Sequence, residues 1–135
     1  MSVYLQAIMN KILLSIGTNE NREASLVLCH QLLNNLFEEI HYSETSITKP
    51  YGVKYHNDFL NQLAIAYTEQ DKEDIHAALK ELEKKMGRKA SDKESGIVVI
   101  DIDIVIWNQE IIKATDIERT YIKDLLPTLD IQLLS

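Results

Sequence analysis

Apolar residues recur along the chain with two alternating periods, and the switches between them mark the elements. Lys11 to Ile16 is a short apolar run closed by Gly17-Thr18-Asn19, which reads as a buried strand and a turn. From Asn21 to Phe37, Ala24, Val27, Leu28, Leu32, Leu33 and Leu36 form a broad helical stripe. Ile40 to Thr48 alternates and carries Thr and Tyr, as a strand does, before Lys49-Pro50-Tyr51-Gly52 breaks it and a loop runs to Asp58. Phe59 to Thr68 predicts the next strand. The second helix is the clearest element: Ile75, Ala78, Leu79, Leu82 and Met86 share one face. Asp71 caps it, Lys84 and Lys85 suit its C-terminal dipole and Gly87 ends it. A polar loop from Arg88 to Gly96 leads into a β-branched strand predicted over Ile97 to Trp107. Beyond it the pattern is mixed; Leu125 to Leu134, interrupted by Pro127, fits a short helix or a strand.

The order βαββαβ with a tail predicts an α+β, ferredoxin-like fold: an antiparallel sheet with two helices on one face. Residues 1–135 read as a single domain in which 1–9 form an extension before the first strand.

Composition narrows the partners. Hydrophobic content of 45% and charged content of 26% are ordinary for a globular chain of 135 residues. The net charge of −7 argues against extended nucleic acid, whose phosphates need a basic surface. No apolar run approaches the ~20 residues of a membrane span, and Met1 to Ile8 has neither the length nor the charge of a signal peptide. A cytoplasmic monomer acting on small molecules is the expectation. Cys29 is the only cysteine, so no internal disulfide and no cysteine-based zinc site can form; its helical setting beside Leu28 makes it a small packed residue. The four histidines lack metal-ligand spacing: His30 and His76 fall in helices, and His56, in the loop, is the one placed to contact a ligand.

The last strand holds the most informative pattern, Ile100-Asp101-Ile102-Asp103-Ile104. Alternation puts Ile100, Ile102, Ile104 and Ile106 on one face and both carboxylates on the other. Two ionised groups ~6.5 Å apart repel by roughly 2–3 kcal/mol at an effective dielectric near 20. Such a pair either stays well solvated or has a cation to bind. Mg²⁺ suits it, since this ion takes one or two protein carboxylates and completes its shell with waters and phosphates. The competing reading is the solvated outer face of an amphipathic strand.

A basic cluster precedes that strand: Lys80, Lys84, Lys85, Arg88, Lys89 and Lys93, six of the fourteen basic residues. The lysines also fit a solvated helix face with pairs such as Glu81–Lys85. Arg88, beyond the helix end, is the better phosphate ligand because a guanidinium binds bidentately. There is no GxxxxGK[ST] phosphate loop.

Several segments in this order resemble the 6-hydroxymethyl-7,8-dihydropterin pyrophosphokinase family. They are Ile12 to Asn19 (a strand and Gly-Ser-Asn turn), Thr48-Lys49-Pro50-Tyr51-Gly52, Asn57-Asp58-Phe59-Leu60-Asn61, Glu83 with Gly87-Arg88, and Ile100 to Ile104. Gly17, Gly52, Gly87 and Gly96 all fall on family glycine positions. The resemblance implies the ferredoxin-like fold and transfer of pyrophosphate from ATP to a pterin hydroxymethyl group in folate biosynthesis, with release of AMP. It also implies roles. Asp101 and Asp103 would bind two Mg²⁺ ions, and Thr48 and Asn61 the pterin edge. Phe59 would stack on the ring. Glu83 would contact the nucleotide and Arg88 the phosphates. Arg119-Thr120-Tyr121 stands where the family has Arg-x-Phe, making Arg119 a second phosphate ligand and Tyr121 the other stacking ring.

The chain also departs from that family. Ile97 and Val98 replace its Pro-Arg, Ser95 a frequent tryptophan and Lys80 a glutamine; the Pro-His segment after the last strand is absent. Lys93 or Lys113 is placed to compensate. Phosphoryl transfer depends on positioning and charge stabilisation, so loss of an arginine and a histidine lowers the rate by orders of magnitude. Two further readings therefore stay open: a catalytically impaired relative that binds a pterin, a nucleotide or a protein, and a ferredoxin-like interaction module.

Overall fold

A computed structural model describes residues 2–50, 57–113 and 120–129. Five strands form one antiparallel sheet: β1 (Asn10–Thr18), β2 (Glu39–Thr48), β3 (Phe59–Thr68), β4 (Asp101–Trp107) and the two-residue β5 (Glu110–Ile111). Their spatial order is β2-β3-β1-β4-β5. The helices are α1 (Val3–Ile8), α2 (Arg22–Leu36), α3 (Lys72–Lys85), α4 (Asp92–Ser95) and α5 (Thr120–Leu125), the last followed by a 3-10 turn, Leu126–Thr128. This is the ferredoxin-like arrangement, with α2 and α3 on one face of the sheet. Among the described residues, no helix is long and apolar enough to cross a membrane.

The even-numbered residues of β1, Ile12, Leu14 and Ile16, face α2 and α3, where they meet Leu33, Ile75, Leu79, Ile100 and Ile102 in the main core. On α2 the buried residues are Ser25, Leu26, Cys29 and Leu33 rather than the expected Ala24 and Val27; Val27 is 57% exposed. That helix is apolar around much of its circumference, so two stripes share helical spacing. The one carrying the small Ser25 and Cys29 turns inward. Burial pushes the Cys29 thiol up to about 12, as a packed and inert residue requires. Helix α3 follows its sequence pattern, and Asp71 caps it by accepting from the Asp74 amide at 2.9 Å. Asp71→Ala should cost about 1 kcal/mol in denaturant unfolding with an unchanged slope; no change would mean the cap is idle.

Residues Val3–Ile8 form α1, which a hydrogen bond from Gln6 Nε2 to Glu39 Oε2 ties to β2. Three expectations need correction. The last long strand begins at Asp101, opposite Gly17 near the end of β1, and not at Ile97; residues 97–100 lie outside the strand pairing. Asn19 holds that segment instead: its side chain accepts from Val98 N at 2.7 Å and donates to Gly96 O at 2.9 Å. The polar loop before it contains the single-turn helix α4. Finally, Ile106 does not share a face with Ile104. Leu13 pairs with Ile106 but Leu14 with Ile104, so Val105 is an extra residue that reverses the alternation.

The second face of the sheet is partly covered. Helix α5 lays Tyr121, Ile122 and Leu125 over Leu13, Leu63, Ile65 and Val105, making a smaller core at one end. The other end of that face stays open.

Candidate active site

The open end is floored by odd-numbered residues of the central strands. Gly17 pairs with Asp101 on one side and Asn61 on the other, and Asn61 pairs in turn with Ser46. One row therefore runs Asp101, Gly17, Asn61, Ser46 across four strands. A methyl group at Gly17 would lie 3.5 Å from Asn61 Oδ1 and 4.0 Å from the Phe59 ring, so glycine leaves a shallow trough between the carboxylate and the amide. In the next row Ser15 pairs with Asp103, and Ser15 Oγ is 2.8 Å from the Tyr121 hydroxyl. Tyr121 is thereby hung from α5 as a wall over the floor.

The end of α3 supplies the opposite wall. Gly87, with φ of 98°, closes the helix with Gly87 N donating to Lys84 O and Arg88 N donating to Glu83 O. That turn swings Arg88 back onto its own helix. Arg88 Nη1 donates to Asp101 Oδ1 at 3.0 Å and to Ile100 O at 3.2 Å, and lies 3.2 Å from Glu83 Oε2. Glu83 is 3% exposed yet fully engaged: Oε2 accepts from Ile102 N at 2.8 Å and Oε1 pairs with Lys80 at 3.2 Å. It ties α3 to β4 and aims Arg88.

These contacts set the ionisation of the site. Burial pushes the Glu83 carboxyl up, opposed by the Ile102 amide, Lys80 and Arg88, and the Asp101 charge adds to the rise. Asp103 is also raised, first by burial and then by Asp101, against the pull of Lys113 and Lys80. Burial works against the Arg88 charge, but Asp101, Glu83 and Asp103 outweigh it and keep the guanidinium ionised. Asp103 additionally pairs with Lys113 Nζ at 3.1 Å.

A cavity of about 650 Å³ occupies this space, enough for a small heterocycle and part of a nucleotide. It brings together Thr48, Phe59, Asn61 and Tyr121 with Glu83, Arg88, Asp101 and Asp103. Arg119 and His56 lie outside the described residues. Of the basic cluster, Lys80, Lys84, Arg88 and Lys89 line the cavity and Lys85 does not. The Glu81 partner is Lys84 at 3.4 Å instead of the expected Lys85. Lys49, Ser15 and Gly17 also line it, although no sequence motif marks them as ligand contacts. Ser15 carried a signal: it is the one polar residue inside the apolar run of β1, two positions from Gly17 and so on its face.

Among the described residues no group of three or more His, Cys, Asp or Glu side chains could enclose a metal ion. The two carboxylates nevertheless fit Mg²⁺. They offer oxygen only, share one face, and have side chains 41% and 20% exposed, which leaves room for waters and phosphates. A protein cage would suit a structural ion; an open pair suits an ion that arrives with phosphates.

Comparison with known proteins adds one match. The model of a family described as 7,8-dihydro-6-hydroxymethylpterin-pyrophosphokinase covers residues 13–132. No curated protein matches the chain.

Proposed function

Since the chain belongs to the 7,8-dihydro-6-hydroxymethylpterin-pyrophosphokinase family, we propose that it catalyses that family's reaction as a cytoplasmic monomer: transfer of pyrophosphate from ATP to the hydroxymethyl group of 6-hydroxymethyl-7,8-dihydropterin, with release of AMP. The observation that carries this reading is the convergence on one cavity of a ring-and-amide end, formed by Phe59, Tyr121, Thr48 and Asn61, and a charged end, formed by Arg88, Asp101 and Asp103. A flat polar heterocycle needs π faces plus a few placed donors and acceptors, and the first end offers both.

In this reading the pterin hydroxyl oxygen attacks the β-phosphorus of ATP. The bond from that phosphorus to the oxygen bridging it to the α-phosphorus breaks, AMP leaves with the electron pair, and the hydroxyl proton is lost to water. Asp101 and Asp103 would hold Mg²⁺, two ions by the family pattern, whose charge neutralises the phosphate oxygens when bound. Arg88 and the Lys80, Lys84 and Lys89 side chains draw the triphosphate to the same wall, and Glu83 holds Arg88 in place. Arg119 would add a second guanidinium. No covalent enzyme intermediate is needed; the protein contributes position and charge.

One observation favours the impaired relative. Ile97 and Val98 line the cavity where the family pattern has Pro-Arg, so a stretch of wall facing the charged end is apolar. The two readings differ in one measurement, AMP released from ATP and Mg²⁺ with and without the pterin. Pterin-dependent AMP supports the enzyme. Its absence from folded protein that still binds pterin or nucleotide moves the assignment to a binding relative.

A further inference from the structure

Simple alternation along β2 would leave Thr48 on the wrong side of the sheet. Ile40 and Tyr42 pair with Ala66 and Ala64 and pack against the main core beneath the helices. Continued at a two-residue period, the strand would turn Thr48 towards the helices and Ile47 towards the cavity. The structure has the reverse. Tyr42 pairs with Ala64 but Thr45 pairs with Gln62, so Ser43 and Glu44 together stand opposite Leu63. This single extra residue flips every later side chain of the strand. Thr48 consequently pairs with Phe59 and its Oγ1 accepts from Asn61 Nδ2 at 2.8 Å, whereas Ile47 pairs with Leu60 and is 58% exposed.

The bulge is held by named groups. Ser43 Oγ accepts from Leu63 N at 2.9 Å and donates to Glu44 O at 2.7 Å. Gln62 Nε2 donates to Ser43 O at 2.7 Å, and Glu44 N donates to Thr128 Oγ1 at 2.9 Å. Gln62 and Ser43 are both buried, and the other end of the Gln62 amide is engaged by His30 Nε2 from α2. The polar atoms that a bulge usually strands are thus satisfied by the Ser43 hydroxyl itself and by side chains on two other elements.

We propose that Ser43 and Gln62 are positioning residues for ligand recognition, holding the bulge that turns Thr48 rather than Ile47 into the cavity. The proposal rests on the cavity being the pterin site. With Ile47 beside Phe59, Asn61 Nδ2 would lose its hydroxyl partner and the floor would offer a branched alkyl group where a polar ring edge needs a hydroxyl.

The test combines Ser43→Ala with Gln62→Leu, and then adds deletion of Glu44 to that pair. Cross-strand Hα NOEs report which residue stands opposite Phe59, and 6-hydroxymethyl-7,8-dihydropterin is the binding probe. The double variant should lose the Thr48–Phe59 pairing and bind the pterin about tenfold more weakly or worse. Deleting Glu44 removes the extra residue, so Thr48 should return opposite Phe59 and most of the binding with it; a general loss of packing would not be rescued this way. Thr48 still facing Phe59 in the double variant, or no rescue by the deletion, overturns the proposal. Should the double variant not fold, the single variants Ser43→Ala and Gln62→Leu decide: each should weaken the Thr48–Phe59 NOE, and pairing unchanged in both overturns it. If the unaltered protein binds no pterin, the substrate reading fails while the NOE comparison still decides what the bulge does.

Discussion

Exchanging Asp101 and Asp103 together for alanine is expected to remove Mg-nucleotide binding and to lower pterin-dependent AMP release by about three orders of magnitude. Thermal unfolding should stay within a few degrees of the parent protein. The two carboxylates stand half-buried on the cavity face of β4, so their loss opens no cavity in the main core, which is built from the opposite face. Their mutual repulsion also disappears, and Arg88 keeps Glu83 and the Ile100 carbonyl as partners. The loss falls on the two carboxylates that hold the metal in the proposed reading. Isothermal titration with Mg-ATP analogues reads binding directly. A folded variant that binds them as the parent does would sink the metal assignment, whatever happens to the rate.

Glu83→Ala should act in the opposite sense, on the fold first. Truncation strands the buried Ile102 amide and takes the shared carboxylate from Lys80 and Arg88, whose side chains are 39% and 33% exposed. Leaving that buried amide unpaired, with solvent screening the two cations, costs about 1–3 kcal/mol. Glu83→Gln keeps the shape and an acceptor for the Ile102 amide, and should lose clearly less. Urea unfolding of the three proteins checks the order. Equal stability of the parent and the alanine variant would show that the network contributes nothing net, its Coulombic gain only matching the desolvation of its members.

The sequence carried most of this architecture because two periods are hard to confuse over ten residues. β3 and α3 follow their patterns from end to end, and the Ile-Asp alternation of β4 put both carboxylates on one face. What it did not carry comes from events between strands. A bulge is invisible to periodicity: alternation alone puts Ile106 on the helix side and shows nothing of the reversal at Ser43-Glu44, which decides which of Ile47 and Thr48 sees the cavity. The start of β4 lies opposite Gly17, near the end of β1, and the β-branched residues before it do not show this. For α2, two apolar stripes competed and only packing could choose. In the site, charged residues with motif context were legible, whereas Ser15 and Gly17 matter through the rows they share with Asp103 and Asp101. Those rows exist only once the strands are in register.

The position of β1 in the middle of the sheet has a consequence for how the protein is made. Its partner on one side, β3, follows within the same half of the chain, but its other neighbour, β4, ends only at Trp107. While the ribosome is still producing the segment between, one edge of β1 presents unpaired amides beside Ile12, Leu14 and Ile16. That is the kind of bare apolar edge on which nascent chains stick to one another or are met by chaperones. Threading β4 beside a strand finished long before also requires closing a large loop, which slows folding without weakening the finished sheet.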